Sequence, residues 1–185
     1  MEDGLKVWTT VGSAGALNQT DLAKVSLLGS VIQLGIDLVV PPPATQVVGD
    51  QVSSEADPAA RVFPTDQAVV RYNVTPVDNL FAITDTAAQF LYQLEIRLRG
   101  QVTAKLMEVD IETGAEKQLI FLGTQSPVDP KFHRQFAATT DPFPLLDFIN
   151  KAYYVEATLV TSALVVGNPA AISIIKLTQN PSFHG

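Results

Sequence analysis

Gln89-Phe90-Leu91-Tyr92-Gln93-Leu94-Glu95-Ile96-Arg97-Leu98-Arg99 places Phe90, Tyr92, Leu94, Ile96 and Leu98 at even positions. Gln93, Glu95, Arg97 and Arg99 take the odd ones. Successive side chains of an extended chain point to opposite faces, so this spacing predicts a half-buried β-strand with one apolar face. Leu94 and Ile96 are expected deep in the core, with Tyr92 less completely enclosed. Val70, Tyr72 and Val74 alternate with Arg71, Asn73 and Thr75 in the same way.

Beyond Gly100 a second run, Gln101 to Ile111, begins with Val102, Ala104 and Leu106 on one face. Its apolar set then slips to Val109 and Ile111, and a one-residue slip flips the buried face. A β-bulge is therefore expected near Met107-Glu108. Glu112-Thr113-Gly114-Ala115 follows, and the chain returns through Lys117 to Leu122, which reads as a β-hairpin with Gly114 in the turn. Further strands are expected at Leu5–Thr9, Lys24–Gln33, Ile36–Val40, Ala68–Pro76, His133–Ala138, Ala152–Thr161 and Ala171–Thr178. Asp141-Pro142, Gly167-Asn168-Pro169 and Asn180-Pro181 supply turn signals between them.

The fold class that follows is all-β: an antiparallel two-sheet sandwich or jelly roll of about 8–10 strands, with very little helix. The modest helix candidates are Thr84 to Ala88 and Leu145 to Lys151. One domain spanning residues 1–185 accommodates this length, and a chain of this size can bury a core without staples. A segment from Pro41-Pro42-Pro43 to Gln67 differs from the rest. It holds Pro58, Pro64, Ser53, Ser54 and Gly49, lacks periodicity, and is expected to be a surface loop or an arm that packs on a neighbouring subunit.

Nineteen acidic against twelve basic residues give a net charge of −7, which opposes broad binding to nucleic acid or to anionic membranes. The absence of cysteine removes disulfides, thiolate metal sites and thiol catalysis together. Met1-Glu2-Asp3-Gly4 does not read as the start of a signal peptide, and compartment is not assigned. The apolar region Val25 to Val40 is interrupted by Ser26, Gly29, Ser30, Gln33, Gly35 and Asp37, so it is not read as a membrane span.

No residue is assigned as catalytic, cofactor-binding or metal-ligating. His133 and His184 are far apart, a poor start for a zinc site. Gly12-Ser13-Ala14-Gly15 lacks the spacing of a nucleophile elbow or a phosphate loop. Asp110, Glu112 and Glu116 gather around the hairpin without the ordered pattern of a calcium loop, and read as a solvated tip. Asn18-Gln19-Thr20 and Asn73-Val74-Thr75 match the glycosylation sequon and read as chance matches. Trp8, Tyr92, Tyr153 and Tyr154 could offer a sugar-stacking platform, but Tyr92 is in core register. Tyr153 and Tyr154, being adjacent, face opposite sides of their strand, and one of them is expected outside the core.

The run of strands, glycine-containing hairpin and late Ala152-Tyr153-Tyr154-Val155-Glu156-Ala157 strand resembles bacterial β-sandwich proteins. The general pattern is similar to the jelly rolls of capsid proteins and of trimeric tumour-necrosis-factor-like proteins. Only 17% of residues are charged and mean hydropathy is +0.20. Val25–Val40 and Leu159–Val166 also hold more apolar residues than one inward face needs. These features point to a non-catalytic, self-assembling structural protein forming a homo-oligomer (a trimer, shell or fibre subunit). A carbohydrate-binding module is the alternative reading, and an unrecognised hydrolase comes third.

The register of the opening strand makes a test. Leu94→Ala should cost on the order of 2–5 kcal/mol by leaving a cavity, and Arg97→Ala much less. Urea denaturation showing equal losses at the two positions would mean that the register is wrong.

Overall fold

The computed structural model describes residues 6–18, 25–35, 65–75, 89–123, 131–141, 143–162 and 169–181. They form twelve strands: β1 (Lys6–Val11), β2 (Ala16–Asn18), β3 (Val25–Leu28), β4 (Val31–Leu34), β5 (Thr65–Val74), β6 (Gln89–Arg99), β7 (Gln101–Asp110), β8 (Glu116–Leu122), β9 (His133–Ala138), β10 (Phe143–Pro144), β11 (Lys151–Ser162) and β12 (Ala171–Pro181). The count exceeds the expected eight to ten because β2 and β10 are too short to show an alternation. The expected strand Lys24–Gln33 is also two strands, β3 and β4, joined through a turn at Gly29-Ser30. Ile36–Val40, Thr84–Ala88 and residues 41–64 of the expected Pro41–Gln67 loop lie outside the described residues, whereas its last residues, Thr65 to Gln67, are not loop but the start of β5.

All pairings are antiparallel, and two sheets pack against each other as a β-sandwich. In the seven-stranded sheet β6 pairs with β12 on one flank and with β9 and β10 on the other. β1 and β4 share the far flank of β12, and β3 lies outside β4. The five-stranded sheet runs β2-β5-β11-β7-β8. β11 pairs along most of its length with both neighbours, from Tyr153↔Val74 to Ser162↔Thr65 on one side and from Lys151↔Asp110 to Val160↔Gln101 on the other.

Period two decides what lies between the sheets. Tyr92, Leu94, Ile96 and Leu98 of β6 meet Val102, Ala104 and Leu106 of β7, with Val155 and Leu159 of β11 and Ile172 and Ile175 of β12, all in one core. Tyr92, expected to be at least largely packed, is as buried as its neighbours (1% exposed). The fold meets its polar end: the phenol donates to the Pro144 carbonyl at 3.2 Å and accepts from the Leu146 N–H at 3.2 Å. A buried hydroxyl with both bonds made carries little desolvation penalty.

A second correction concerns β7. A register shift does occur at Leu106/Met107, but Leu106 pairs with Ile120 and Met107 with Gln118, so the extra residue is Leu119 on β8. Against β11, β7 runs without interruption. Its buried face therefore does not flip, and Glu108 keeps the inward parity of Leu106. The expected helix at Leu145 to Lys151 is a single turn. Asp147 Oδ1 accepts from the N–H groups of Ile149 and Asn150, its carbonyl accepts from Lys151, and β11 begins at once. The expected end of β12 at Thr178 also moves, to Pro181, which pairs with Phe90.

Two of the points where the chain changes sheets are at glycines. Gly100 alone separates β6 from β7, which belong to different sheets. It is buried with φ of 70°, and a Cβ there would lie 2.9 Å from the Ala170 Cα. At Gly12 the chain leaves β1 for β2 through a short 3-10 turn, Gly12–Ala14. A Cβ at Gly12 would sit 2.0 Å from the Ile172 carbonyl oxygen, and the buried Tyr72 hydroxyl donates to the Gly12 carbonyl at 2.8 Å. The Gly12-Ser13-Ala14-Gly15 motif is thus a sheet crossing.

Gly114, in the hairpin, shares the φ of 70° but has open space where its Cβ would be. Gly114→Ala should therefore cost about 1–2 kcal/mol, the left-handed strain alone. Gly100→Ala adds a backbone collision worth roughly 1–3 kcal/mol more. Equal shifts of the urea midpoint for the two variants would refute the corner assigned to Gly100.

Candidate functional site

Inside one end of the sandwich lies a charge that the sequence pattern does not announce. Glu108 is 5% exposed and faces Tyr153 in the β7–β11 register. Lys151 Nζ donates to its Oε1, and the Tyr153 hydroxyl donates to its Oε2 at 3.3 Å. The same hydroxyl accepts from the Asp147 N–H at 3.1 Å, and the Phe148 ring stands edge-on to Tyr153 with centroids 5.1 Å apart. The bond to Glu108 holds the Lys151 ammonium above the ordinary lysine value. Burial pushes the Tyr153 phenol up as well. Each group has its complement here, so the cluster is a neutralised polar plug that closes the core.

The hairpin acids do not converge. Asp110 Oδ1 accepts from the N–H and hydroxyl of Thr113, both at 2.8 Å, and so shapes its own turn. Glu112 is exposed, and Glu116 accepts from the Tyr154 hydroxyl at 3.1 Å. No three His, Cys, Asp or Glu side chains among the described residues are grouped to hold a metal ion. His133 opens β9 in a half-buried position, while His184 lies outside the described residues. Asn73 is exposed at the end of β5. Gln19 and Thr20 of the other sequon lie outside the described residues.

Nor do the aromatic residues gather. Tyr92 and Tyr153 belong to the core, and Trp8 packs against it. Tyr154 faces away from the core, as adjacency requires, yet it is only 7% exposed. The Arg71 guanidinium covers its ring at 4.7 Å from the centroid. Beside it the outer face of the five-stranded sheet carries a row set by register: Arg71, Glu156 and Lys105 on β5, β11 and β7. Glu156 receives Arg71 and Lys105 at 2.8 Å each. Burial raises its pKa, but the hydrogen bonds from both cations outweigh that and hold it below the ordinary value.

The unpartnered features are on the margins of the sheets. β3 is the edge strand beyond β4, and its Leu27 and Leu28 are each 59% exposed. Phe121 on β8 and Phe136 on β9 are also largely exposed. Sequence reading placed the surplus apolar residues in Val25–Val40 but missed the turn at Gly29-Ser30 that puts Leu27 and Leu28 on an edge. Residues 163–166 of the other surplus segment, Leu159–Val166, lie outside the described residues.

No protein-family model matches the chain, and a search of curated proteins found no match either.

Among the described residues, four carboxyls sit below their ordinary values through hydrogen bonds: Glu95 through Arg134, Asp110 through Thr113, Asp147 through Asn150, and Glu156 as above. A carboxyl with a depressed folded-state pKa adds stability above its unfolded value and loses it as pH falls through the folded one. The melting temperature should therefore drop on acidification below about pH 4, the ordinary carboxylate range. A melting temperature flat from about pH 5 to pH 2.5 would contradict these assignments.

Proposed function

We propose that this protein is a structural subunit that assembles with copies of itself, and that the open edge of β3 is a contact in that assembly. The observation that carries the reading is the undefended edge. Val25-Ser26-Leu27-Leu28 contains no charge and no proline, and among the described residues its far side pairs with no strand. Soluble proteins ordinarily blunt such an edge with charges, prolines, bulges or a very short strand, because its free N–H and C=O groups invite another strand. β3, at four residues, is short but has neither charge nor proline. Two exposed leucines add apolar area that a neighbour would cover, worth about 25 cal/mol per Å² before the costs of association.

Edge pairing of β3 with β3 would close as a two-fold dimer. Pairing of β3 with a different surface of the next copy would propagate into a ring, shell or fibre. Low charge over the whole chain agrees with a protein whose working surface is largely covered.

Light scattering on the full chain tests this. The protein should run as an oligomer and stay one at about 1 M salt, since screening weakens charge pairs and leaves apolar burial intact. Leu27→Asp with Leu28→Asp should shift it to monomer without changing its β-rich circular dichroism. A monomeric full-length protein, or an oligomer that the double variant leaves intact, would defeat the proposal.

A further inference from the structure

The outer face of the seven-stranded sheet carries a charge arrangement that the fold does not need. Register places Arg134 of β9 opposite Arg97 of β6, and Ile174 of β12 and Val11 of β1 continue that row. The neighbouring row runs Phe136, Glu95, Lys176 and Thr9. Like charges at facing positions of an antiparallel pair are destabilising. Arg134 turns diagonally to Glu95 instead, its Nε and terminal nitrogen lying 2.9 and 2.7 Å from the two carboxylate oxygens. Arg97 stays exposed, and among the described residues its side chain has no ion-pair partner. Among the described residues, Arg97, Arg134 and Lys176 thus stand against the single carboxylate Glu95 on this face, on a chain whose net charge is −7. Apolar ground borders them on both sides: Phe136 is 68% exposed, and Val11 at the far end of its row is 41% exposed.

We propose that this face binds an acidic peptide segment whose carboxylates are flanked by apolar residues. The free Arg97 guanidinium, beside Arg134, presents planar donors suited to a carboxylate, and the ligand's charge would relieve the facing pair. Phe136 on one side and Val11 with Ile174 on the other receive the flanking side chains. An anionic polysaccharide would satisfy the arginines but has no aliphatic side chains for that apolar ground, which is why a peptide is the occupant. The proposal is independent of the assembly reading, since it uses the outer face of β9, β6, β12 and β1 and no residue of the β3 edge.

Fluorescence anisotropy with a labelled peptide holding two adjacent glutamates between valines tests the site. The peptide should bind, and its glutamine counterpart should not. Arg97→Glu should weaken binding by about tenfold or more, the scale of one charge-assisted contact. Phe136→Ser should weaken it while leaving its salt dependence unchanged. Neither exposed substitution should alter the circular dichroism. Failure of the peptide to bind overturns the proposal, as does binding that Arg97→Glu leaves unchanged. Equally tight binding of polygalacturonate or of a single-stranded oligonucleotide would reduce the face to a general anion surface. Loss of oligomer in the Arg97→Glu variant would assign it to a second copy of the chain. Either of these results also overturns the peptide assignment, and the light-scattering result for the Leu27/Leu28 variant stands apart from all of them.

Discussion

The fold turns on one residue between two strands. Arg99 ends a strand of one sheet and Gln101 begins a strand of the other, so Gly100 must bend the chain through a corner that ordinarily takes a loop. Strands that switch sheets need a local bend or bulge. A single residue also preserves parity: Leu98 points inward before the corner and Val102 after it, both fully buried. The even positions of one continuous run therefore line both walls of the core. A second residue at the corner would have sent one of the two strands to solvent with its leucines outward.

Charge is arranged around that core by the same geometry. Across the five-stranded sheet the register stacks opposite signs, Arg71, Glu156 and Lys105, so each neighbour is a partner. Across the seven-stranded sheet it sets Arg97 against Arg134. The contrast matters because both faces derive from equally regular strands. Glu108 is the inward exception, and removing Lys151 alone would leave a buried charge, whereas replacing both with apolar residues need not destabilise.

Much of this was legible in the sequence. The bounds of β6 and β9 follow from alternation and flanking turn residues, and the two-sheet class follows from the number of such runs. Alternation fails where an apolar pattern and a pairing register disagree. Val109 and Ile111 suggested that β7 had flipped, but continuous pairing with β11 keeps Glu108 inside, and Lys151, more than forty positions away, makes that tolerable. Alternation puts Tyr92 on the core face, but not the partners of its hydroxyl, Pro144 and Leu146, the second of which lies in a segment that reads as helical. Facing pairs such as Arg97 and Arg134 belong to register, which no single segment encodes. The candidate surfaces were less legible than the fold for the same reason: they are juxtapositions across strands.

β12 joins what the sequence separates. It is the last of the described strands, and it is the common neighbour of β1, β4 and β6. Lys6 pairs with Gln179, so the seven-stranded sheet ties together residues from nearly opposite parts of the chain. On a ribosome, which releases a chain from its N-terminus, β1, β4 and β6 emerge well before the strand that unites them. Until then β6 keeps unpaired the edge that it gives to β12, and β1 and β4 lack the neighbour that joins them to it. Pairings this distant in sequence are intrinsically slow to form, so the interval between synthesis and closure is when this chain most needs protection from its neighbours.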